Sequence, residues 1–208
     1  LREWLLQRLP HETIVWGESI ASIDFPKPDR ARATFESGLE ITVDMLVAAD
    51  GTFSRTRSLI SPNPPLKYVG FVAINGIASL RDKVFKNGVT QWLDGKHRIF
   101  TKPFEKDTVM WQLTFALEEK DLQEFFADKT LNEPVSWKNS GHSSFIEKVH
   151  EIAKGIVELW DDRIKELIYI TPCDSMRAGP LYDREPEPIT FNADIPVAII
   201  GDAAHPMT

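Results

Sequence analysis

Two short, continuously apolar segments stand out in the pattern of hydrophobic and polar positions along this chain. They span Met45–Ala49 and Pro196–Ile200, and a neighbouring glycine and aspartate follow each of them. A continuous apolar run of strand length is typical of a strand buried on both faces, as in a parallel sheet. We therefore expect two buried strands, one near each end of the chain, that both lead into a turn.

The residues that precede the first apolar strand predict a short helix and a small antiparallel sheet. Leucines at helical spacing share one face of Leu1–Leu9, and Pro10 ends that pattern. Glu36-Ser37-Gly38 separates two alternating segments and predicts a hairpin. Strands are predicted over four segments: Thr13–Trp16, Ile20–Phe25, Arg32–Phe35 and Leu39–Val43.

A different pattern follows the proline-rich segment Ser61–Pro65. Successive alternating segments with short polar turns predict an antiparallel sheet of four strands: Tyr68–Leu80, Gly88–Leu93, Arg98–Phe104 and Thr108–Leu117. Helical patterns then cover three segments, with a short strand predicted after them: Glu118–Lys129, Ser143–Lys154, Val157–Leu167, and the strand Leu167–Thr171.

This order of elements predicts an α/β fold, α+β overall, in which an antiparallel-sheet domain interrupts a partial Rossmann-like domain. We expect the interrupted domain to comprise residues 1–65 and 181–208, and the inserted domain to comprise residues 66–180. A buried strand and turn need cover from a following element. We therefore expect the chain to be part of a longer protein.

Composition narrows the class of protein. The 208 residues are 42% hydrophobic with a formal net charge of -7, and the lysines are scattered among acids, so no basic surface for nucleic acid is predicted. Cys173 is the single cysteine, which excludes an internal disulfide and favours a reducing compartment such as the cytoplasm. No apolar run is long enough to span a membrane, and the first residues do not resemble a secretory signal.

Several common chemistries lack their sequence signature. The five histidines show no HExxH spacing, and one cysteine cannot form a thiolate cluster, so no metal site is predicted. No GxSxG motif indicates a hydrolase. No pattern predicts an oligomeric state.

The first motif with chemical content begins where the first apolar strand ends. That strand delivers Asp50 to its carboxyl end, where open α/β sheets bind ligands. Gly51 permits a tight turn and a close approach of backbone to ligand. Ser54 is expected to cap the following helix, and Arg57 offers a planar donor fork suited to phosphate or carboxylate. An ordinary Asp-Gly turn is the competing interpretation.

The second motif follows the second apolar strand. Gly201 and Asp202 form the turn, and Asp202 is suited to accept hydrogen bonds from sugar hydroxyl groups. The small residues Ala203 and Ala204 would let a bulky ligand approach the backbone. His205 precedes Pro206 and is expected to stabilise the turn more than to act as a base.

Together these two motifs resemble the Asp-Gly and Gly-Asp fingerprints of the class A flavoprotein monooxygenases, the para-hydroxybenzoate hydroxylase-like family. That family includes salicylate-hydroxylase-like and ubiquinone-biosynthesis-hydroxylase-like members. The segment Arg2–Leu9 is similar to the family's helix whose arginine reaches the flavin. The family's GxGxxG loop lies upstream of the matching region and does not occur in this chain, and its segment beyond Pro206 is also absent. We therefore expect the isolated chain to bind FAD poorly.

The resemblance implies an FAD-dependent enzyme. NAD(P)H would reduce the flavin, and a C4a-hydroperoxyflavin would hydroxylate an electron-rich aromatic substrate. The stretch Asp174–Arg184, with Arg177, would return the chain from the substrate domain to the FAD domain. The resemblance assigns no catalytic residue. It implies six cofactor-binding residues: Arg2, Asp50, Gly51, Gly201, Asp202 and Ala203.

The inserted sheet would form a wall of the substrate site, and its polar and aromatic strand residues are candidates to face it. These are Gln91, Arg98, Trp111 and Gln112. Three other interpretations stay open: a reductase or halogenase of the same fold, a non-catalytic ligand-binding module with a decayed flavin site, and a folding fragment without a function of its own.

Overall fold

The computed structural model describes residues 2–61, 66–126, 143–185 and 195–206. The chain forms two compact units, residues 1–67 with 183–208 and residues 68–182. The mixed α/β fold class expected from the sequence is confirmed, with an antiparallel sheet in the second unit. No helix within the described ranges has the length and apolar character that a membrane span requires.

The first unit contains two small sheets. Strands β1, β2 and β3 pair antiparallel in that order, and β4 pairs parallel with β10. The helices are α1 and α2. The bounds are α1 Arg2–Leu6, β1 Ile20–Lys27, β2 Arg30–Phe35, β3 Glu40–Val43, β4 Leu46–Ala48, α2 Arg55–Ile60 and β10 Val197–Ile199.

Two details of this unit differ from expectation. The segment Thr13–Trp16 is not a strand, because the backbone adopts positive φ angles at Glu12 (67°) and Gly17 (82°) on either side of it. Strand β1 continues through Pro26, which the sequence pattern placed beyond its end. An edge strand tolerates proline because one side of its backbone has no partner, and β1 lies at the edge of its sheet.

The strands β4 and β10 are not buried on both faces as predicted. Ala48 and Ile199 are buried and pack with Ala203 and Ile60 on one side of the pair. Three other apolar residues of this region remain about half exposed: Met45 (57%), Val47 (52%) and Ile200 (50%). The reason is that, within the described residues, this sheet has two strands and one covered face.

The second unit is a five-stranded antiparallel sheet with helices against one face. The strand order is β6-β7-β8-β5-β9. The strand bounds are β5 Lys67–Ser79, β6 Thr90–Leu93, β7 Arg98–Pro103, β8 Thr108–Ala116 and β9 Arg177–Asp183. The helix bounds are α3 Lys83–Lys86, α4 Glu119–Phe126, α5 Ser143–Val157 and α6 Asp162–Tyr169. The predicted helix Glu118–Lys129 extends past Phe126 into residues outside the described ranges.

The predictions for the last two helices are partly wrong. Asp161 caps a new helix by accepting a hydrogen bond from the Arg163 amide, so Val157–Leu167 is not one helix. The predicted strand Leu167–Thr171 is the end of α6 and the turn after it. Leu167 and Ile168 are buried at helical spacing from Ile164, and a short apolar run alone does not distinguish the two periods.

Alternation along the strands sorts the sheet into a core face and an open face. On β8, Val109, Trp111, Leu113 and Phe115 are buried, and the residues between them are only partly buried. The buried set packs with apolar residues of α5 and α6 such as Val149 and Ile168. The opposite, open face of the sheet carries the partly buried residues.

Candidate functional site

The two turn motifs lie side by side in the first unit. Strands β4 and β10 are parallel neighbours, with Ala48 paired to Ile199, and the Ile200 amide donates to the Ala48 carbonyl at 3.0 Å. The carboxyl ends of both strands therefore lie at the same edge of their sheet. This pairing brings the Asp50-Gly51 turn next to the Gly201-Asp202 turn at the carboxyl ends of the strands, where such sheets bind ligands.

The carboxylate of Asp50 organises its own turn. It accepts hydrogen bonds from Ser54 Oγ (2.5 Å), the Thr56 amide (3.0 Å) and Thr56 Oγ1 (2.9 Å). Burial raises the pKa of Asp50, but the hydrogen bonds from Ser54 and Thr56 outweigh this, so the pKa lies below its ordinary value. Asp50 therefore stays ionised at neutral pH and ties the end of β4 to the first turn of α2.

The expected helix cap at Ser54 is confirmed. The Arg57 amide donates to Ser54 Oγ at 2.9 Å, and the Ser54 side chain is almost fully buried. The turn before it requires a glycine, because Gly51 has a φ of +81° and lies in the left-handed region. These local contacts explain why the motif needs an acid, a glycine and a hydroxyl residue in this order.

Arg57 links the two turns from inside the unit. Its side chain is buried (4% exposed), and its guanidinium donates to the carbonyl oxygens of Ala203 (3.0 Å) and Ala204. Burial, and then the charge of Arg184, lowers the pKa of Arg57. The guanidinium therefore holds the backbone of the second turn, whereas the sequence analysis expected it to meet a ligand anion. Sequence reasoning missed this contact because its acceptors are backbone atoms about 146 residues away.

Arg184 makes a second long-range hydrogen bond of this kind. It follows β9 directly, and its guanidinium donates to the Thr52 carbonyl in the first turn at 3.1 Å. Its amide also donates to the Asp183 carboxylate at 2.7 Å. The segment 174–184 was expected to return to the first domain. Its last residue, Arg184, is therefore hydrogen-bonded to the turn that begins with Asp50 and Gly51.

The second turn presents its acid outward. The amides of Ala204 and His205 donate to the Gly201 carbonyl (2.9 and 3.0 Å), and Gly201 has a φ of +59°. Ala203 is fully buried under the turn, whereas Asp202 is exposed. Asp202 makes no hydrogen bond or ion pair with any other described residue, so its carboxylate is available to accept hydrogen bonds from a ligand.

Arg2 has a different partner. Its guanidinium lies 5.6 Å from the centre of the Trp16 ring, and Trp16 is 65% exposed. Within the described residues, no hydrogen bond or ion pair joins Arg2 to either turn. Its role in cofactor binding therefore stays a prediction, as do the roles of the five turn residues.

The structure separates the four candidates on the inserted sheet. Gln112 is paired with Phe100, which in turn is paired with Gln91, so these residues share the open face. Arg98 lies on that face too, because it is two residues from Phe100 on β7. Trp111 is fully buried on the opposite face among the core residues, so the expectation that it faces a pocket is wrong.

Known proteins with a similar sequence are oxygenases. No protein family model matches the chain. The FAD-dependent urate hydroxylase of Mycolicibacterium vanbaalenii is 25% identical over 183 residues, which are 86% of this chain and 40% of that protein. The aurachin C monooxygenase/isomerase of Stigmatella aurantiaca is 23% identical over 208 residues, 100% of this chain and 48% of that protein.

A solved structure shows the same fold. Klebsiella pneumoniae HpxO complexed with FAD and uric acid matches with a TM-score of 0.76 at 19% identity, over 98% of this chain and 47% of that one. The chain thus spans less than half the length of each of these three proteins. It has the fold of an FAD-binding hydroxylase and is similar in sequence to curated monooxygenases, which confirms the resemblance to class A flavoprotein monooxygenases that its two turn motifs indicated.

Proposed function

We propose that this chain is part of an FAD-dependent monooxygenase that hydroxylates an aromatic or similarly electron-rich small molecule with NAD(P)H and O₂. The observation that carries the proposal is the pair of turns at the carboxyl ends of β4 and β10, with Asp202 exposed and without a partner among the residues that the structure describes. Two buried or partly buried arginines hold the backbone of these turns in place. A preorganised acid beside two parallel strand ends is suited to a dinucleotide.

The residues present fit the dinucleotide. Asp202 would accept hydrogen bonds from hydroxyl groups of FAD, and Ala203 would shape the loop beneath it. A Cβ added to Gly51 or Gly201 would meet no atom within 4 Å, so the space beside both turns is open to a ligand. Asp50 would act on the cofactor through the turn that it organises, and Arg2 would contact FAD from its helix.

The same reasoning supports the division of labour between the units. We assign residues 1–65 and 181–208 to FAD binding and residues 66–180 to substrate binding. When bound and reduced by NAD(P)H, FAD would supply the activation of O₂, with one oxygen atom entering the substrate and the other leaving as water. This chain's residues would bind, orient and shield the reactants. The single cysteine and the use of NAD(P)H favour the cytoplasm as the compartment.

The decisive experiment uses the full-length protein that carries this chain. We expect it to be purified with a flavin absorbance spectrum and to oxidise NAD(P)H faster when an aromatic substrate is added. With isotopically labelled O₂, mass spectrometry is expected to find one labelled oxygen atom in the product.

A substitution connects that activity to the site described above. Asp202→Asn is expected to weaken flavin binding about tenfold or more, because a hydrogen bond to a charged group is worth roughly 1.5–3 kcal/mol. Asp29→Asn removes the same charge from an exposed turn of the same unit and serves as the control. Equal flavin affinity in both variants would remove Asp202 from the site.

The other outcomes separate the competing functions. NAD(P)H oxidation without oxygen incorporation would indicate a reductase, and halide-dependent product would indicate a halogenase. A full-length protein that retains no flavin would refute the enzyme proposal and favour a ligand-binding module.

A further inference from the structure

A row of uncharged side chains crosses the open face of the five-stranded sheet. Asn75 on β5 is paired with Gln112 on β8, Gln112 with Phe100 on β7, and Phe100 with Gln91 on β6. Directly paired residues of neighbouring strands point to the same side of a sheet, with Cβ atoms about 4.5–5.5 Å apart. The four side chains therefore form one continuous row.

Two amides in this row are hydrogen-bonded to each other, and each still has a donor or an acceptor without a bond. Gln112 Nε2 donates to Asn75 Oδ1 at 3.0 Å, and both side chains are partly buried. Neither side chain makes another hydrogen bond within the described residues. The bond leaves the Asn75 N–H donors and the Gln112 carbonyl acceptor unused. If the oxygen and nitrogen of both amides were exchanged, Asn75 would donate to Gln112 instead. One amide NH₂ group and one carbonyl oxygen would still be unused.

An adjacent donor and acceptor match the edge of a lactam, a ring in which an N–H group is bonded to a C=O group. The lactam C=O can accept from one amide while its N–H donates to the other. Phe100 lies beside Gln112 in the same row and supplies a flat apolar surface for the ring. Partly buried polar groups that lose their partners carry a desolvation cost, so such a pair discriminates against rings that lack the matching groups.

Cations flank this row on either side. Arg98 and Lys102 lie two residues before and after Phe100 on β7, so each is one diagonal step of about 7–8 Å from Gln112. Lys102 is partly buried and Arg98 is exposed, and a third cation, Arg177, lies on β9, the neighbour of β5. The row itself contains no charged residue, so what it can recognise depends on its amides.

We propose that the Asn75–Gln112 amide pair makes this protein select heteroaromatic lactams with a free N–H group over N-substituted ones, an inference that rests on the function proposed above. The test uses the full-length protein and two probes: 2-quinolone and N-methyl-2-quinolone, which lacks the N–H group. Isothermal titration calorimetry gives each dissociation constant. We expect 2-quinolone to bind about tenfold or more tightly than N-methyl-2-quinolone, the effect of one hydrogen bond made in a partly buried site.

Matched variants tie this preference to the pair. Gln112→Met keeps the length of the side chain and removes both amide functions, so the N-methyl discrimination is expected to fall to about twofold or less. Gln123→Met makes the same change at an exposed position of α4, away from the row, and is expected to leave the discrimination unchanged. Should Gln112→Met not fold, as judged by circular dichroism, Asn75→Leu tests the same pair.

The outcomes for this inference and for the proposed function are distinct. Equal binding of the two quinolones, or full discrimination in a folded Gln112→Met protein, would overturn the inference, even if the protein holds flavin and hydroxylates another ring. Loss of flavin with intact 2-quinolone selectivity would overturn the proposed enzyme and leave the lactam site in place.

Discussion

At the scale of single residues, surroundings separate two aspartates that the sequence presents alike. Asp50 and Asp202 each adjoin a glycine after an apolar strand. The carboxylate oxygens of Asp50 accept hydrogen bonds from Ser54 and Thr56, whereas the Asp202 carboxylate accepts none from any described residue. Asp50 therefore contributes to stability, and Asp202 is the acid that a ligand can reach.

The pH dependence of stability tests the role of Asp50. Its pKa in the folded chain lies below the ordinary value, so the ionised carboxylate stabilises the fold above about pH 4, and this contribution is lost as the pH falls through the folded pKa. In urea unfolding, the gap in free energy of unfolding between wild type and Asp50→Asn is expected to be largest near neutral pH and to shrink in acid.

Thr56→Val is the companion variant for this measurement. It removes the hydroxyl that donates to Asp50 and leaves the backbone amide bond in place. We expect it to reduce the pH-dependent part of the stability without abolishing it. A gap between wild type and Asp50→Asn that stays constant with pH would contradict the assignment.

At the scale of elements, the alternation of β5 and β8 decides which residues belong to the core and which lie on the open face of the sheet. Gly76 is paired with Trp111, and both belong to the core face, where the Trp111 indole N–H donates to Thr171 Oγ1 at 2.9 Å. One position earlier on β5, Asn75 faces the open side. Adjacent residues of one strand thus belong to opposite faces of the sheet.

Gly76 is the position where this packing is least tolerant. A Cβ at Gly76 would lie 2.6 Å from Trp111 Cζ2 and 2.8 Å from Thr171 Cγ2, and the hydrogen bond to Thr171 keeps the ring from moving. Gly76→Ala is therefore expected to lower the free energy of unfolding by about 1–3 kcal/mol, measured by urea unfolding.

A second glycine supplies the control for that substitution. Gly155 lies on α5, is exposed, and would place its Cβ near no atom within 4 Å. Gly155→Ala is expected to raise the free energy of unfolding by about 0.5–1 kcal/mol, because alanine favours the helix. A neutral Gly76→Ala would show that the sheet and the indole relax around the methyl group.

At the scale of the whole molecule, the second unit has a sheet and a hydrophobic core of its own, as an independent domain does. Its core joins residues of the sheet and of α4, α5 and α6 in one cluster. Strands β5 and β9, which open and close the unit, are neighbours in its sheet. An insertion whose two ends lie side by side can interrupt another domain with little strain.

This arrangement predicts that residues 68–182 fold without the rest of the chain. We expect circular dichroism to show native-like structure and urea unfolding to be a single cooperative transition. A shorter piece, residues 68–176, lacks β9 and the buried Ala178, and is expected to lose that cooperativity. A longer piece that unfolds without a cooperative transition would show that the unit depends on the other one.

The sequence alone determined most strand and helix positions and the two turn motifs, because periodicity, caps and glycine turns act over a few neighbouring residues. Tertiary structure decided the rest: that Trp111 faces the core, that Val47 is exposed, and that Arg57 binds the second turn. Each of these depends on which distant segment lies opposite. Backbone carbonyls that serve as acceptors look the same in every residue, so no local pattern could have identified the partner of Arg57.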